Sequence, residues 1–286
     1  MKSSTATGKD RRLGHLFANL SGKILLVPLD DSLLAGPTLG LERMSEKLAL
    51  IVDNPPDAIV GFKGLFLNHT SLLRKVPGIL NVTASTTRSQ HTRKCLIGSV
   101  EEAVQLGLDA VAVHVNITSK YESEMIGMLG VVSRQCEALG MPLLAHMYVR
   151  AEKNEADDNH ETLKREKPDA YAKLVAHAGR IGMEAGADLI KTQYSGDTDS
   201  FRLVVEACAP VPVVVAGGPP VDAAEMLRLA HGAIRAGASG ISFGRNIFSR
   251  SDPRPFISAL KMIVHEGATP RSALKRNHQM LEKPKK

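Results

Sequence analysis

Short, almost wholly apolar runs recur along the chain. Each is followed by a polar or glycine-containing loop and then by a longer stretch with apolar residues at helical spacing. Runs over 24–29, 58–61, 80–84, 110–115, 142–147, 189–192, 211–216 and 240–243 predict eight β-strands. They are continuous rather than alternating, as expected of strands buried on both faces in a parallel sheet covered by helices. The intervening segments carry helix signals. Ser99 followed by Glu101 and Glu102 predicts an N-cap and first turn, closed by Gly107. Residues 122–139 keep Met125, Met128, Leu129, Val132 and Cys136 at helical spacing and stop at Gly140. Residues 170–185 and 221–236 behave alike, stopping at Gly186 and Gly237. Eight such units in 286 residues predict an α/β fold, a closed (β/α)8 TIM barrel over 23–270, in preference to an open doubly wound sheet. Residues 1–22 are read as an N-terminal arm or capping helix and 271–286 as a basic C-terminal tail. Residues 150–167, rich in Asp, Glu, Lys and Asn, follow the fifth strand on the mouth side and read as a solvated insertion or a lid.

Composition narrows the class. The chain is 43% hydrophobic, ordinary for a globular domain. It has no apolar run of membrane-spanning length. The first twelve residues are polar and basic, without the apolar centre of a signal peptide. Three cysteines without metal-like spacing point to structural thiols in a reducing cytoplasm. The net charge of +6 is concentrated at the ends, in 9–12 and beyond 274, which are read as solvated, frayed segments. With 4% aromatics and no basic stripe interleaved with them, no nucleic-acid partner is expected. A mild basic balance suits anionic metabolites such as sugar phosphates.

In a barrel the C-terminal ends of all strands converge on one mouth, and here those ends are polar or small while strand interiors are apolar. Lys191 closes the apolar run of the sixth strand. It pairs with a carboxylate such as Asp30, or it is a Schiff-base nucleophile. Lys63, near the end of the second strand, is a rival amine. Asp30, after the first strand, is a candidate for proton transfer or for holding a substrate hydroxyl, with a turn cap as the plain alternative. Asp31 beside it would repel it, and one of the two would then titrate high if both are buried. Tyr148 is a proton donor or a rim aromatic. His114 and His146 read as core or rim histidines, without metal-motif spacing. Gly217-Gly218 and Gly244-Arg245 follow the seventh and eighth strands, where barrels cradle a phosphate on backbone N–H groups. Arg245 adds a charged fork. Tight turns are the alternative. Asp31 and Arg150 complete the candidate substrate- and phosphate-binding set.

These residues resemble a known family. Val27-Pro28-Leu29-Asp30, Asp109 to Asn116, Pro142 to Tyr148, Asp188 to Thr192, Val214 to Gly218 and Gly244 to Phe248 together resemble the DeoC/FbaB class I aldolases, in the same order from about Lys23 to His265. Thr83-Ala84-Ser85-Thr86, Gly98 to Ala103 and His114-Val115-Asn116 are most similar to the 2-amino-3,7-dideoxy-heptulosonate synthase branch, which includes amino-dihydroxy-oxo-heptanoate phosphate synthases. The resemblance implies a TIM barrel, a Schiff base on Lys191, an acid/base pair of Asp30 and Tyr148, and a phosphate cradle of Gly217, Gly218, Gly244 and Arg245. It implies no metal and no cofactor beyond the covalent lysine. It further implies a cytoplasmic homo-oligomer acting on small sugar-phosphate and aldehyde substrates. The expected reaction joins dihydroxyacetone phosphate to L-aspartate 4-semialdehyde, giving a seven-carbon amino-keto phosphate for aminohydroxybenzoate biosynthesis. A transaldolase of that branch or a fructose-bisphosphate aldolase is the nearest alternative. A barrel isomerase or thiolase, and a non-enzymatic sugar-phosphate binder, are the more distant ones. One departure stands out: the family follows its aspartate with His-Gly, and this chain has Asp31-Ser32. The lost histidine bears on substrate preference, and the lost glycine matters if the loop needs a positive φ.

Overall fold

The computed structural model describes residues 4–152 and 159–277. In chain order its strands are β1 (Ile24–Pro28), β2 (Ala58–Gly61), β3 (Gly78–Asn81), β4 (Thr83–Ala84), β5 (Cys95–Leu96), β6 (Ala110–Ile117), β7 (Leu143–Val149), β8 (Leu189–Thr192), β9 (Val213–Ala216) and β10 (Gly240–Ser242). Eight of them pair in parallel and close a barrel in the order β1-β10-β9-β8-β7-β6-β3-β2, with helices outside. The short β4 and β5 pair antiparallel in a separate hairpin. The expected third strand over 80–84 is therefore two pieces. Thr83 gives its backbone N–H to the Asn81 side chain at 3.1 Å instead of continuing the barrel ladder, and the chain leaves the wall there.

Side chains alternate between the helical shell and the barrel interior. Leu25, Val27, Ile59, Val111, Val113 and Ile190 join the outer core. Ile24, Leu26, Val60, Ile79, Leu144 and Val214 belong to a second, interior cluster. Each such aliphatic side chain contributes about 1.5–3 kcal/mol on burial. One step further along the strands the interior turns polar, at Asn81, His114, His146, Lys191 and Ser242. The ladder register sets His114 beside His146 and His146 beside Lys191. A dry lower barrel thus carries a polar belt immediately under its open end.

The opposite end is plugged. The helix Ser4–Leu16 lies across it, and Leu16, with Leu13 and Phe17, completes the interior cluster. Lys9 pairs with Asp188 at 2.9 Å, His15 with Asp109 at 3.0 Å, and Arg12 donates to the Gly140 carbonyl at 2.9 Å. The basic N-terminal segment expected to fray is docked instead, because carboxylates and an open carbonyl meet it at the barrel floor. The expected tail is also partly structured. Residues Pro270–Asn277 form a helix that buries Ala273 and Asn277 against the shell, while 278–286 lie outside the described residues.

Helix boundaries follow the local signals. Ser99 and Glu102 make a reciprocal capping box at the start of Val100–Gln105. Gly140 ends Glu122–Leu139 in the left-handed conformation. The other two expected helices span Pro168–Glu184 and Ala223–Arg235. Among the described residues no helix is long and apolar enough to cross a membrane.

Candidate active site

The open end of the barrel encloses a cleft of about 630 Å³, a usual size for a small-molecule site. A second cleft of about 600 Å³ lies outside the barrel, against the Pro270–Asn277 helix, and none of the strand-end residues line it.

Lys191 occupies the third position of β8, is 6% exposed and lines the cleft. Its amine makes no hydrogen bond or ion pair with any described residue. The ion pair with Asp30 allowed by the sequence does not form, because Asp30 is held elsewhere. Asn81 Nδ2 donates to Asp30 Oδ2 at 2.8 Å, and Asn81 Oδ1 accepts from the backbone N–H of Thr83 at 3.1 Å and from its hydroxyl at 3.2 Å. Because Asn81 Oδ1 takes these donors, only its amide nitrogen faces the carboxylate. Asp30 is thereby oriented at the cleft wall.

Two histidines lie beneath. His114 and His146 are both held well below the usual imidazole range. Burial is the main cause for each, reinforced by Lys94 and His146 around His114 and by Lys191 and Lys94 around His146. Both are therefore neutral at pH 7. His114 Nε2 lies 2.9 Å from Asn116 Oδ1, and Asn116 Nδ2 donates to the Thr92 carbonyl at 2.7 Å. The network thus assigns the His114 proton to Nε2. His146 Nε2 is buried without a hydrogen-bond partner. Tyr148, half-buried on β7, stacks at a tilt on His114 with 4.8 Å between ring centres, and the Arg150 guanidinium lies 5.8 Å from the Tyr148 ring. Arg150 Nε donates to Asn159 at 2.9 Å. The expectation of a lid over 150–167 falls in part on 153–158, outside the described residues. Around that gap Arg150, Asn159, Glu161 and Lys164 line the cleft.

Gly217 and Gly218, after β9, and Arg245, after β10, line the cleft, whereas Gly244 is not among its lining residues. A Cβ at Gly217 would come within 2.8 Å of the Phe243 ring, one at Gly244 within 2.6 Å of the Pro28 carbonyl, and Gly218 has φ +66°. Buried Asn246 joins the two loops, donating to the carbonyls of Gly217 at 3.2 Å and Pro219 at 2.9 Å and accepting from Val221 N at 2.9 Å. Arg245 opens the one-turn helix Arg245–Phe248 and stands 3.6 Å from Asp31. Burial, then the Asp30 charge, raises the Asp31 carboxyl above the usual range, while Arg245 opposes the rise. Ser32 lies in the first turn of the helix Asp31–Ala35 and has no positive φ, so the family's glycine is not required there.

Lys63 does not reach the cleft. It begins the helix Lys63–Asn68 and forms an ion pair with Glu102 on the surface. The second buried lysine of the site is Lys94, which the strand pattern does not reveal. It is 5% exposed, lines the cleft and donates to Ser85 Oγ at 2.6 Å. Burial, then the Arg150 charge, lowers its pKa to about 8. The only local signal is the apolar run Cys95-Leu96-Ile97 directly after it, where the return strand of the hairpin begins. Asn81 and Asn246 likewise organise the site; nothing near Asn81 marks it, and Asn246 lies in the quoted stretch Gly244 to Phe248 without being singled out. Among the described residues no group of three or more His, Cys, Asp or Glu is placed to hold a metal ion.

Comparison with known proteins identifies the family and the fold. Residues 24–250 match the DeoC/LacD family of aldolases. The chain is 34% identical over 273 residues to the 2-amino-3,7-dideoxy-D-threo-hept-6-ulosonate synthase of Halobacterium salinarum, covering 95% of this chain and 97% of that protein. It is 33% identical over 273 residues to the 2-amino-4,5-dihydroxy-6-oxo-7-(phosphonooxy)heptanoate synthase of Streptomyces griseus, covering 94% of each. Among solved structures, an archaeal fructose-1,6-bisphosphate aldolase with its catalytic lysine bound to the carbinolamine intermediate superposes with a TM-score of 0.78 at 28% identity, over 90% of this chain and 99% of that one.

Proposed function

The chain belongs to the DeoC/LacD family of aldolases, and on that premise we propose that Lys191 forms a Schiff base with a keto-phosphate donor such as dihydroxyacetone phosphate. The enzyme then joins this donor to an aldehyde, L-aspartate 4-semialdehyde, to give a seven-carbon amino-keto phosphate. One observation carries the reading. A nearly buried primary amine, uncommitted among the described residues, opens on a cleft that also holds Tyr148, Asp30 and the paired glycine loops.

The free amine of Lys191 attacks the donor ketone, and the carbinolamine loses water to give an iminium. The iminium withdraws electrons from the adjacent carbon, which releases a proton and becomes an enamine. The enamine carbon bonds to the aldehyde carbon, whose oxygen takes up a proton, and water releases product and amine. Tyr148 exchanges the protons at the donor carbon and the aldehyde oxygen. Asp30, oriented by Asn81, handles those of the carbinolamine. Backbone N–H groups of Gly217, Gly218 and Gly244, with Arg245, hold the phosphate, and the Asp31 carboxylate positions Arg245. The Streptomyces relative supports this choice of substrates, since its name describes a seven-carbon chain with an amino, a keto and a phosphonooxy group. The Halobacterium relative is named for a heptulosonate without that phosphate, and a donor panel separates transfer from a phosphorylated ketose from direct addition. Borohydride reduction with dihydroxyacetone phosphate is expected to label Lys191, read by peptide mass mapping. Label on Lys94, Lys164 or Lys63 in place of Lys191, or no label at all, overturns the mechanism.

A further inference from the structure

The hairpin of β4 and β5 emerges between β3 and β6. In the closed strand order β3 lies opposite β9, and β6 opposite β10. Lys94, immediately before β5, therefore enters the cleft from the side facing the glycine loops, with Lys191 on β8 and Tyr148 on β7 along the wall between them. Its placement is anchored by Ser85. Ser85 donates its single hydroxyl proton to the His91 carbonyl at 2.8 Å, so a lone pair of Ser85 accepts from the Lys94 ammonium at 2.6 Å. An ammonium has three N–H donors, and among the described residues only Ser85 takes one. Arg150, which also lines the cleft, adds a second cation close enough to disfavour the charge on Lys94. Asp30, the carboxylate whose charge acts on Lys94, is engaged by Asn81. A buried cation with spare donors beside a second cation is costly, and an anion bound by both would relieve both costs.

We propose that Lys94 and Arg150 form an anion subsite that binds the carboxylate of the aldehyde acceptor, across the barrel from the phosphate cradle of the donor. For the acceptor's identity this rests on the aldol reading above. With donor phosphate on one side and acceptor carboxylate on the other, the two reacting carbons are directed toward the middle of the cleft, where Lys191 and Tyr148 stand. The subsite makes the acceptor's charged end, rather than its chain length, the chief determinant of selection.

The test uses unreactive probes, so it does not depend on turnover. L-2-Aminobutyrate carries the amine and carboxylate without the aldehyde, n-propylamine lacks the carboxylate, and n-propyl phosphate carries a phosphate instead. Titrations followed by NMR are expected to show L-2-aminobutyrate binding the wild type at least about tenfold more tightly than n-propylamine, the scale of a charge-assisted hydrogen bond. In Lys94→Met this preference is expected to fall below about threefold, and Lys94→Arg is expected to retain most of it. Should Lys94→Met fail to fold, Ser85→Ala, which frees the ammonium from its anchor, is expected to weaken the same preference. A wild type without the preference, or a Lys94→Met protein that keeps it, overturns the subsite. Lys94-dependent binding of n-propyl phosphate tighter than that of L-2-aminobutyrate overturns the carboxylate assignment. Borohydride label away from Lys191 would instead sink the aldol reading and leave these binding ratios as measured.

Discussion

At the closed end of the barrel, Asp57, Asp109 and Asp188 each precede a strand and accept a backbone N–H at the start of the neighbouring one: Leu25 at 2.6 Å, Gly78 at 3.1 Å and Leu143 at 2.9 Å. Asp109 and Asp188 also meet a basic side chain, His15 at 3.0 Å and Lys9 at 2.9 Å, while His265 Nε2 approaches Asp57 to 3.0 Å without making a hydrogen bond. At the open end the polar groups are left incomplete. Lys191 has no partner among the described residues, His146 Nε2 and Ser242 Oγ are buried without one, and Lys94 gives one of its donors to Ser85. The contrast teaches how one fold divides its charged residues. Those under the barrel close seams between strands and contribute stability. Those above it are buried with spare polar capacity, which carries a solvation cost and is where the proposed substrate contacts fall.

The strongest way to break this division is at Lys191. Lys191→Met is expected to lower turnover by about 10⁴-fold or more and to abolish borohydride labelling with dihydroxyacetone phosphate, while unfolding in urea shows no loss of stability. A destabilised variant would mean that the lysine serves the fold.

Lys94 sharpens the comparison through pH. Its ammonium titrates near 8 in the folded chain and near 10.5 in the ordinary, unfolded environment. Between these values the unfolded chain holds the extra proton, so the wild type gains stability as pH rises through that window. Arg150, Asp30 and Cys95 are the charged and titratable groups acting on it. Lys94→Met lacks this gain. It is expected to be the more stable protein at pH 7, and its advantage is expected to narrow by about 3 kcal/mol by pH 10.5. Paired urea unfolding curves across that range measure this, and a gap independent of pH would refute it.

The smallest effect is expected under the barrel. Asp188→Ala leaves the Leu143 N–H and Lys9 without their carboxylate, costing about 2 kcal/mol, with kcat unchanged within twofold. A large loss of activity at unchanged stability would show that the two ends are not separate in role.

Much of this molecule is legible along the chain. Continuous apolar runs with helical stretches between them mark the strands of a closed barrel, and their polar ends mark Lys191, Asp30, Tyr148 and the two glycine loops as neighbours at one mouth. These features are visible because strand and helix periods and turn chemistry are local properties. The run over 80–84 marks where local reading stops. It is uniformly compatible with a strand, but the Asn81 side chain captures the Thr83 N–H and diverts the chain into a hairpin. Lys94 on that hairpin has no periodic context to reveal it. The basic residues Lys9 and Arg12 are likewise indistinguishable from solvated charges until the barrel floor brings Asp188 and the Gly140 carbonyl to them.

The sequence by itself determined the barrel strands apart from the third, that they are buried on both faces, and which side chains stand at their ends. Only the tertiary structure decided what lies across the barrel from what. Closure sets β10 beside β1 and the β4–β5 hairpin opposite the glycine loops, and those contacts join residues more than a hundred positions apart. Such non-local contacts also decide charge. Whether Lys94 stays an ordinary ammonium or has its pKa lowered, and whether Asp30 pairs with a lysine or an asparagine, depends on which distant groups share a site of low dielectric.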